Sequence, residues 1–110
     1  MEFSDIYMAL ENAPSDAMGV AIVAAYVRDG GDVNALNVYP SLRSLAFATI
    51  ERGNNPRFVF KPATMLYLLQ LGSNPNAVSA DRHSLLDEAK SSLQADIVTI
   101  LLQHGARSGR

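Results

Sequence analysis

Cysteine and tryptophan are absent from this 110-residue chain. Without cysteine there is no disulfide framework and no thiolate metal site, and a reducing compartment such as the cytoplasm fits. Histidine is scarce, with only His83 and His104. His83 has Asp81 nearby in sequence but no evident third ligand, so no metal site and no other cofactor are expected. His104 falls in the last turn of a helix, where a cation suits the dipole. No nucleophile stands beside a base, Glu51 and Asp87-Glu88 are isolated carboxylates, and no enzyme is expected. A glycine-rich phosphate loop is missing too: Gly30-Gly31 follows a helix instead of opening one. No apolar run reaches about 18 residues, so no membrane-spanning helix is expected. The longest run, 19–27, ends in Arg28-Asp29 and lacks the charged leading flank of a signal peptide. Basic charge is not in surplus. The net charge of −2 argues against a nucleic-acid partner.

The remaining composition, 48% hydrophobic and 18% charged, is that of one globular domain with a core of its own. Its organisation shows in a repeat. The chain writes Leu68-Leu69-Gln70-Leu71-Gly72 and then Leu101-Leu102-Gln103-His104-Gly105, with the two glycines 33 residues apart. Ile97, Val98, Ile100, Leu101 and Leu102 precede Gly105, and Thr64, Met65, Tyr67, Leu68 and Leu69 precede Gly72. Ile22, Val23, Ala25, Tyr26 and Val27 precede Gly30. Each set is an apolar stripe at helical spacing, closed by a glycine suited to the left-handed end of a helix. Turn residues follow in Gly31-Asp32-Val33-Asn34-Ala35 and Ser73-Asn74-Pro75-Asn76-Ala77.

A shorter helix precedes each stripe, around Ala9, Ala48 and Ala89. The apolar residue three places earlier shares a face with the alanine, whose small side chain permits close helix approach. The spacing predicts six helices, at about 4–12, 15–29, 41–52, 62–71, 83–92 and 94–104. Ser15 is a suitable N-cap and Pro62 a suitable first-turn proline. No helix pair buries its apolar face alone, so stacking must form one continuous core.

This pattern resembles the ankyrin repeat. The junction of that family, Gly-Ala-Asp-Val-Asn-Ala, corresponds to Gly30-Gly31-Asp32-Val33-Asn34-Ala35, and again to Gly72-Ser73-Asn74-Pro75-Asn76-Ala77. Its Ile-Val-x-Leu-Leu-Leu helix corresponds to Ile97-Val98-Thr99-Ile100-Leu101-Leu102. The resemblance covers nearly the whole chain in three repeats, about 1–33, 34–75 and 76–110, of which only the last has the standard length. The Thr-Pro-Leu-His start of the family is absent. Its places hold Ser4-Asp5-Ile6-Tyr7, Arg43-Ser44-Leu45-Ala46 and Ser84-Leu85-Leu86-Asp87. The middle repeat is nine residues long of standard, mostly between Ala48 and Thr64. The implied fold is all-α, an ankyrin-like solenoid of three helix pairs with an inserted loop in the middle repeat.

The resemblance implies a non-enzymatic protein-binding module, monomeric or weakly self-associating. A small stand-alone binder of this kind is expected to inhibit or neutralise one partner protein, as an immunity or antagonist protein does. The alternative is an assembly subunit that joins copies through an uncapped end near 96–104. In the family pattern the concave groove receives Met8, Phe47 and Glu88, together with Ile50 and Glu51. Phe47 and Ile50 are large apolar residues at normally wet positions, either an exposed contact patch or residues covered by the inserted loop. The turn tips offer Tyr39, Arg43, Asp81, Arg82 and His83. The inserted loop offers Asn55, Arg57 and Phe58, residue types enriched at binding hot spots, unless Phe58 and Phe60 fold back onto the helices.

Overall fold

Three helix ends share one geometry, and it sets the frame of the molecule. Gly30, Gly72 and Gly105 have φ of +91°, +101° and +87°, the left-handed region where a side chain is strained. In each case the residue after the glycine donates its N–H back across the last turn: Gly31 to Tyr26, Ser73 to Leu68, Ala106 to Leu101, all at 2.9 Å. These are three Schellman closures. The computed structural model describes residues 3–36, 42–52 and 55–107. Its helices are α1 (Phe3–Glu11), α2 (Asp16–Arg28), a 3-10 segment (Leu45–Thr49), α3 (Pro62–Gln70), α4 (Leu85–Ser91) and α5 (Ala95–Gln103). Among the described residues no strand forms, apart from an isolated bridge between Val78 and Ser84.

Five helices lie where the spacing places them. Ser15 caps α2 by accepting the Met18 N–H at 3.1 Å, and Pro62 opens α3. Ser84 stands at the place of the family's Thr and caps α4 through the Asp87 N–H at 3.0 Å. The helix expected over 41–52 contracts to the 3-10 segment. Leu42 has φ +56°, which bars a helix from starting ahead of it. At the other end the Thr49 carbonyl accepts the Lys61 N–H at 3.1 Å, and the Thr49 hydroxyl turns back to the Ala46 carbonyl at 2.7 Å.

One core runs through the stack, built on Leu10, Val23, Leu45, Phe47, Met65, Leu68, Leu85, Ile97 and Leu101, all fully buried. Ala48 and Ala89 occupy it as expected of small spacers. Ala9 does not: it is exposed, and Leu10 takes the inward place. Ile6, Tyr7 and Leu10 in α1 match the spacing of Leu85, Leu86 and Ala89 in α4, so the first repeat is displaced by one residue from the expected register.

Adjacent repeats are joined by an asparagine ladder. Asn34 donates to the Gly72 carbonyl at 3.0 Å and accepts the Asn74 N–H at 2.8 Å. Asn76 repeats this on Gly105 at 3.2 Å and Arg107 at 2.7 Å. Each is set by an Asx turn, since Asp32 and Asn74 accept the N–H two residues on, that of Asn34 and of Asn76. A second joint links α2 to α3. Asp16 accepts the N–H groups of Ala63 (2.8 Å) and Thr64 (2.9 Å) and the Thr64 hydroxyl (2.7 Å), capping α3 from a neighbouring helix. Gly19 lets the two helices meet there, because a Cβ at that position would lie 2.5 Å from the Thr64 hydroxyl.

Candidate functional site

The inserted segment packs onto the stack. Phe60 rests against the core, and Phe58 meets it edge-on at 5.2 Å between ring centroids. Asn55 ties the segment to the first repeat, donating to the Asn12 side chain at 3.1 Å, and accepts the Arg57 N–H at 3.0 Å. Arg57 itself is exposed. Phe58 is half-buried and committed to this packing.

Beneath that loop lies a buried cation that the sequence reading missed. Lys61 has no exposed surface. Its ammonium donates to the Val59 carbonyl at 2.6 Å and lies 4.1 Å from the centre of the Phe58 ring. Burial lowers its pKa to about 8, against the pull of Asp16 and Glu11. Folding therefore releases a proton between about 8 and the ordinary 10.5. Below that window the folded state carries the whole cost of the buried charge, and stability rises as pH climbs through it. Lys61→Met is expected to stabilise the fold at pH 6 by about 1–3 kcal/mol. The gain should shrink towards zero near pH 10. Urea unfolding at the two pH values checks this.

The two apolar residues expected to line an exposed groove do not. Phe47 and Ile50 are both fully buried. The 3-10 segment turns more tightly than an α-helix and is buried along its whole length, from Leu45 to Thr49, so it offers no outward apolar face. Tyr39 lies outside the described residues. Met8 is 58% exposed.

The other candidates split into two groups. Arg57 and Arg82 stand exposed, and Arg82 holds a turn position with φ +65°. Arg43, Glu51, Asp81, His83 and Glu88 come together, although the sequence spreads them over two repeats. Arg43 Nε lies 2.6 Å from Glu51 Oε1, a close ion pair whose N–H is not aligned on the oxygen. Arg43 Nη2 lies 3.2 Å from Asp81 Oδ2. His83 Nδ1 lies 3.5 Å from Glu88 Oε2. The tip that carries Asp81 is closed by its own bonds: Ser79 donates its N–H to the His83 carbonyl at 2.9 Å and its hydroxyl to the Asp81 carboxylate. The Ser79 hydroxyl, followed by Arg43 and His83, holds the Asp81 carboxyl below its usual range.

The floor of this cluster is Tyr7. It is 3% exposed, and its hydroxyl has no hydrogen-bond partner among the described residues. Burial, then the charges of Glu51 and Glu11, push the phenol well above its usual pKa. Glu51 is pushed up to about 7, chiefly by burial, with Glu88 and Asp81 adding to it and Arg43 opposing. Glu11 is raised by burial as well. The arrangement is an acidic surface with one internal guanidinium, half-closed to water on the Arg43 and Glu51 side and open at Asp81 and His83. Among the described residues no three His, Asp or Glu side chains converge as metal ligands, and no helix is long and apolar enough to cross a membrane.

In sequence Tyr7 stands out only as one of the residues at the places of the family's Thr-Pro-Leu-His start. Its polar end becomes visible once α1 is seen to face the Arg43 and Glu51 ion pair. No protein-family model matches this sequence, and no curated protein matches it either. The backbone is more informative. The ankyrin repeat domain of human ASB11 superposes on 93% of this chain with a TM-score of 0.69, at 20% sequence identity. The chain has the ankyrin-repeat fold. It spans 40% of the length of that solved domain. The expected all-α stack is thereby found, with the middle short helix reduced to a 3-10 segment.

Proposed function

We propose that this chain is a non-enzymatic protein-binding module that inhibits or neutralises one partner protein, as an antagonist or immunity protein does, in the cytoplasm. The observation that carries this reading is the cluster of Arg43, Glu51, Asp81, His83 and Glu88, with Met8 exposed on α1. Side chains from two repeats are fixed in place there before any partner arrives. Pre-organised groups lose little entropy on binding, which is the advantage of a rigid repeat stack. Arg57, Arg82 and, from the sequence alone, Tyr39 would extend the contact at its edges.

A second reading is self-association through the last repeat. Leu93 is 88% exposed and Leu102 is 53% exposed. Leu93 shares a groove with Ala95, Val98 and Lys90. Capping repeats ordinarily present a polar outer face. Mass that rises with concentration would favour this reading.

Affinity capture with tagged wild type and with Met8→Glu tests the favoured one. One stoichiometric protein should be retained by the wild type and its recovery should drop about tenfold or more with Met8→Glu, as expected for a central contact. Equal recovery by both would contradict a partner seated on this face. The activity of the captured protein, assayed with and without the module, tests inhibition.

A further inference from the structure

The junction between the middle and last repeats holds a recess of about 460 Å³, walled by Asn34, Leu36, Ser44, Asn74, Ala77 and Val78. Small binding pockets span roughly 300–1,000 Å³. Leu36 is 51% exposed and Val78 is 48% exposed, so the recess is flanked by large apolar side chains that the core does not use. Ser44 belongs to the same wall and is only 2% exposed. Its hydroxyl has no hydrogen-bond partner among the described residues.

The reason that hydroxyl is left over is local. Ser15 and Ser84 stand at the same place before their helices, and each accepts the N–H three residues on. Ser44 precedes the 3-10 segment, whose hydrogen bonds close one residue sooner. The Phe47 N–H therefore goes to the Ser44 carbonyl, at 3.1 Å, and the side chain is not needed. A buried hydroxyl without a partner is uncommon, and this one can donate or accept. The Asn34 and Asn74 side chains are held by the ladder between repeats, so their part of the wall is fixed beforehand.

We propose that this recess receives the phenol ring of a tyrosine from the partner protein, its ring against Leu36, Ala77 and Val78 and its hydroxyl bonded to that of Ser44. The proposal rests on the protein-binding reading above and gives the partner its chemistry. None of the described residues that line the recess is charged, so a carboxylate or ammonium would lose its water with no opposite charge to meet. A phenylalanine or leucine would fill the space but leave the Ser44 hydroxyl unpaired. A carboxamide would pair with that hydroxyl but bring little apolar surface to Leu36 and Val78. Tyrosine supplies both an apolar body and a polar tip.

The test is a nuclear magnetic resonance titration of the isotope-labelled full chain with acetyl-tyrosinamide and acetyl-phenylalaninamide, which differ only in the hydroxyl. The tyrosine probe should move the resonances of Leu36, Ala77 and Val78 along a saturating curve. The phenylalanine probe should bind about three- to tenfold more weakly, as loss of one hydrogen bond implies. Ser44→Ala should bring the two probes to equal affinity. It should not lower the melting temperature, because the hydroxyl it removes bonds to nothing. Val78→Asp should abolish binding of both probes by placing a charge in the recess. Equal affinity of the two probes for the wild type would overturn the proposal. So would a tyrosine preference that survives Ser44→Ala, or no saturable shift at Leu36, Ala77 and Val78. If Met8→Glu lowers capture but the probes show no preference, the binding reading stands and the tyrosine recess falls. If the preference is present and is lost in Ser44→Ala while capture ignores Met8, the recess stands and the Met8 face falls.

Discussion

Phe47→Ala should lower the free energy of unfolding by about 3–5 kcal/mol, the range for truncating a fully buried phenylalanine. A domain of this length is stable by roughly 5–15 kcal/mol, so the loss removes a large share of the total and would leave a protein at the low end of that range partly unfolded. Phe47 has no exposed surface, and it lies in the 3-10 segment that packs against α1 on one side and α3 on the other. A cavity there loosens the joint between the first and middle repeats and reaches the insertion, because Lys61 bonds to the end of the same segment at Thr49. Urea unfolding followed by circular dichroism measures the loss. A shift in midpoint worth less than about 1 kcal/mol would mean that Phe47 faces solvent, the exposed-patch alternative.

Leu101→Ala should cost about 2–5 kcal/mol. The size is similar but the place is different. Leu101 lies in α5, fully buried, with α3 and α4 as the helices packed on its own. Within this chain α4 and α5 pack on the middle repeat through α3. In a repeat stack each unit is stabilised by its own folding and by its contacts with neighbours, so an end unit is released first. Hydrogen exchange should therefore speed up over α4 and α5 before it does in α1 and α2. Uniform acceleration across the chain would show that the three repeats unfold as one unit. A negligible change in stability would place Leu101 off the core and contradict the repeat register.

The stack itself was legible in the chain because its signals are local. Three stripes each closed by a glycine locate α2, α3 and α5, and the glycines have the positive φ that such closures need. The asparagines of the two junction motifs announced turns, though not that they would bond to the next repeat. Two other features depend on approaches that spacing alone does not encode. The 3-10 segment forms because Leu42 enters from the left-handed region and because Lys61, twelve residues on from Thr49, takes its carbonyl. Asp16 caps a helix more than forty residues away, which no capping motif in sequence reveals. The site was half legible. Charged tips and groove positions named Arg43, Glu51, Asp81, His83 and Glu88 one by one. Their meeting in a single cluster follows from how the middle and last repeats are stacked, and the unpaired phenol near it is brought by the first. For Phe47 and Ile50 the sequence left both an exposed patch and a covered position open; both are fully buried, and the 3-10 segment that carries Phe47 is buried along its length.

The most direct test of the account is a photo-reactive phenylalanine analogue placed singly at Met8 and at Met18. Both positions are well exposed, Met8 in the first helix of its pair and Met18 in the second. The tagged chain would be irradiated in native lysate and its crosslinked products weighed by mass spectrometry. A module that binds through the face of its first helices should yield one dominant crosslinked protein from position 8 and little from position 18. Crosslinking from position 18 alone, or only to a second copy of the chain from either, would contradict that account.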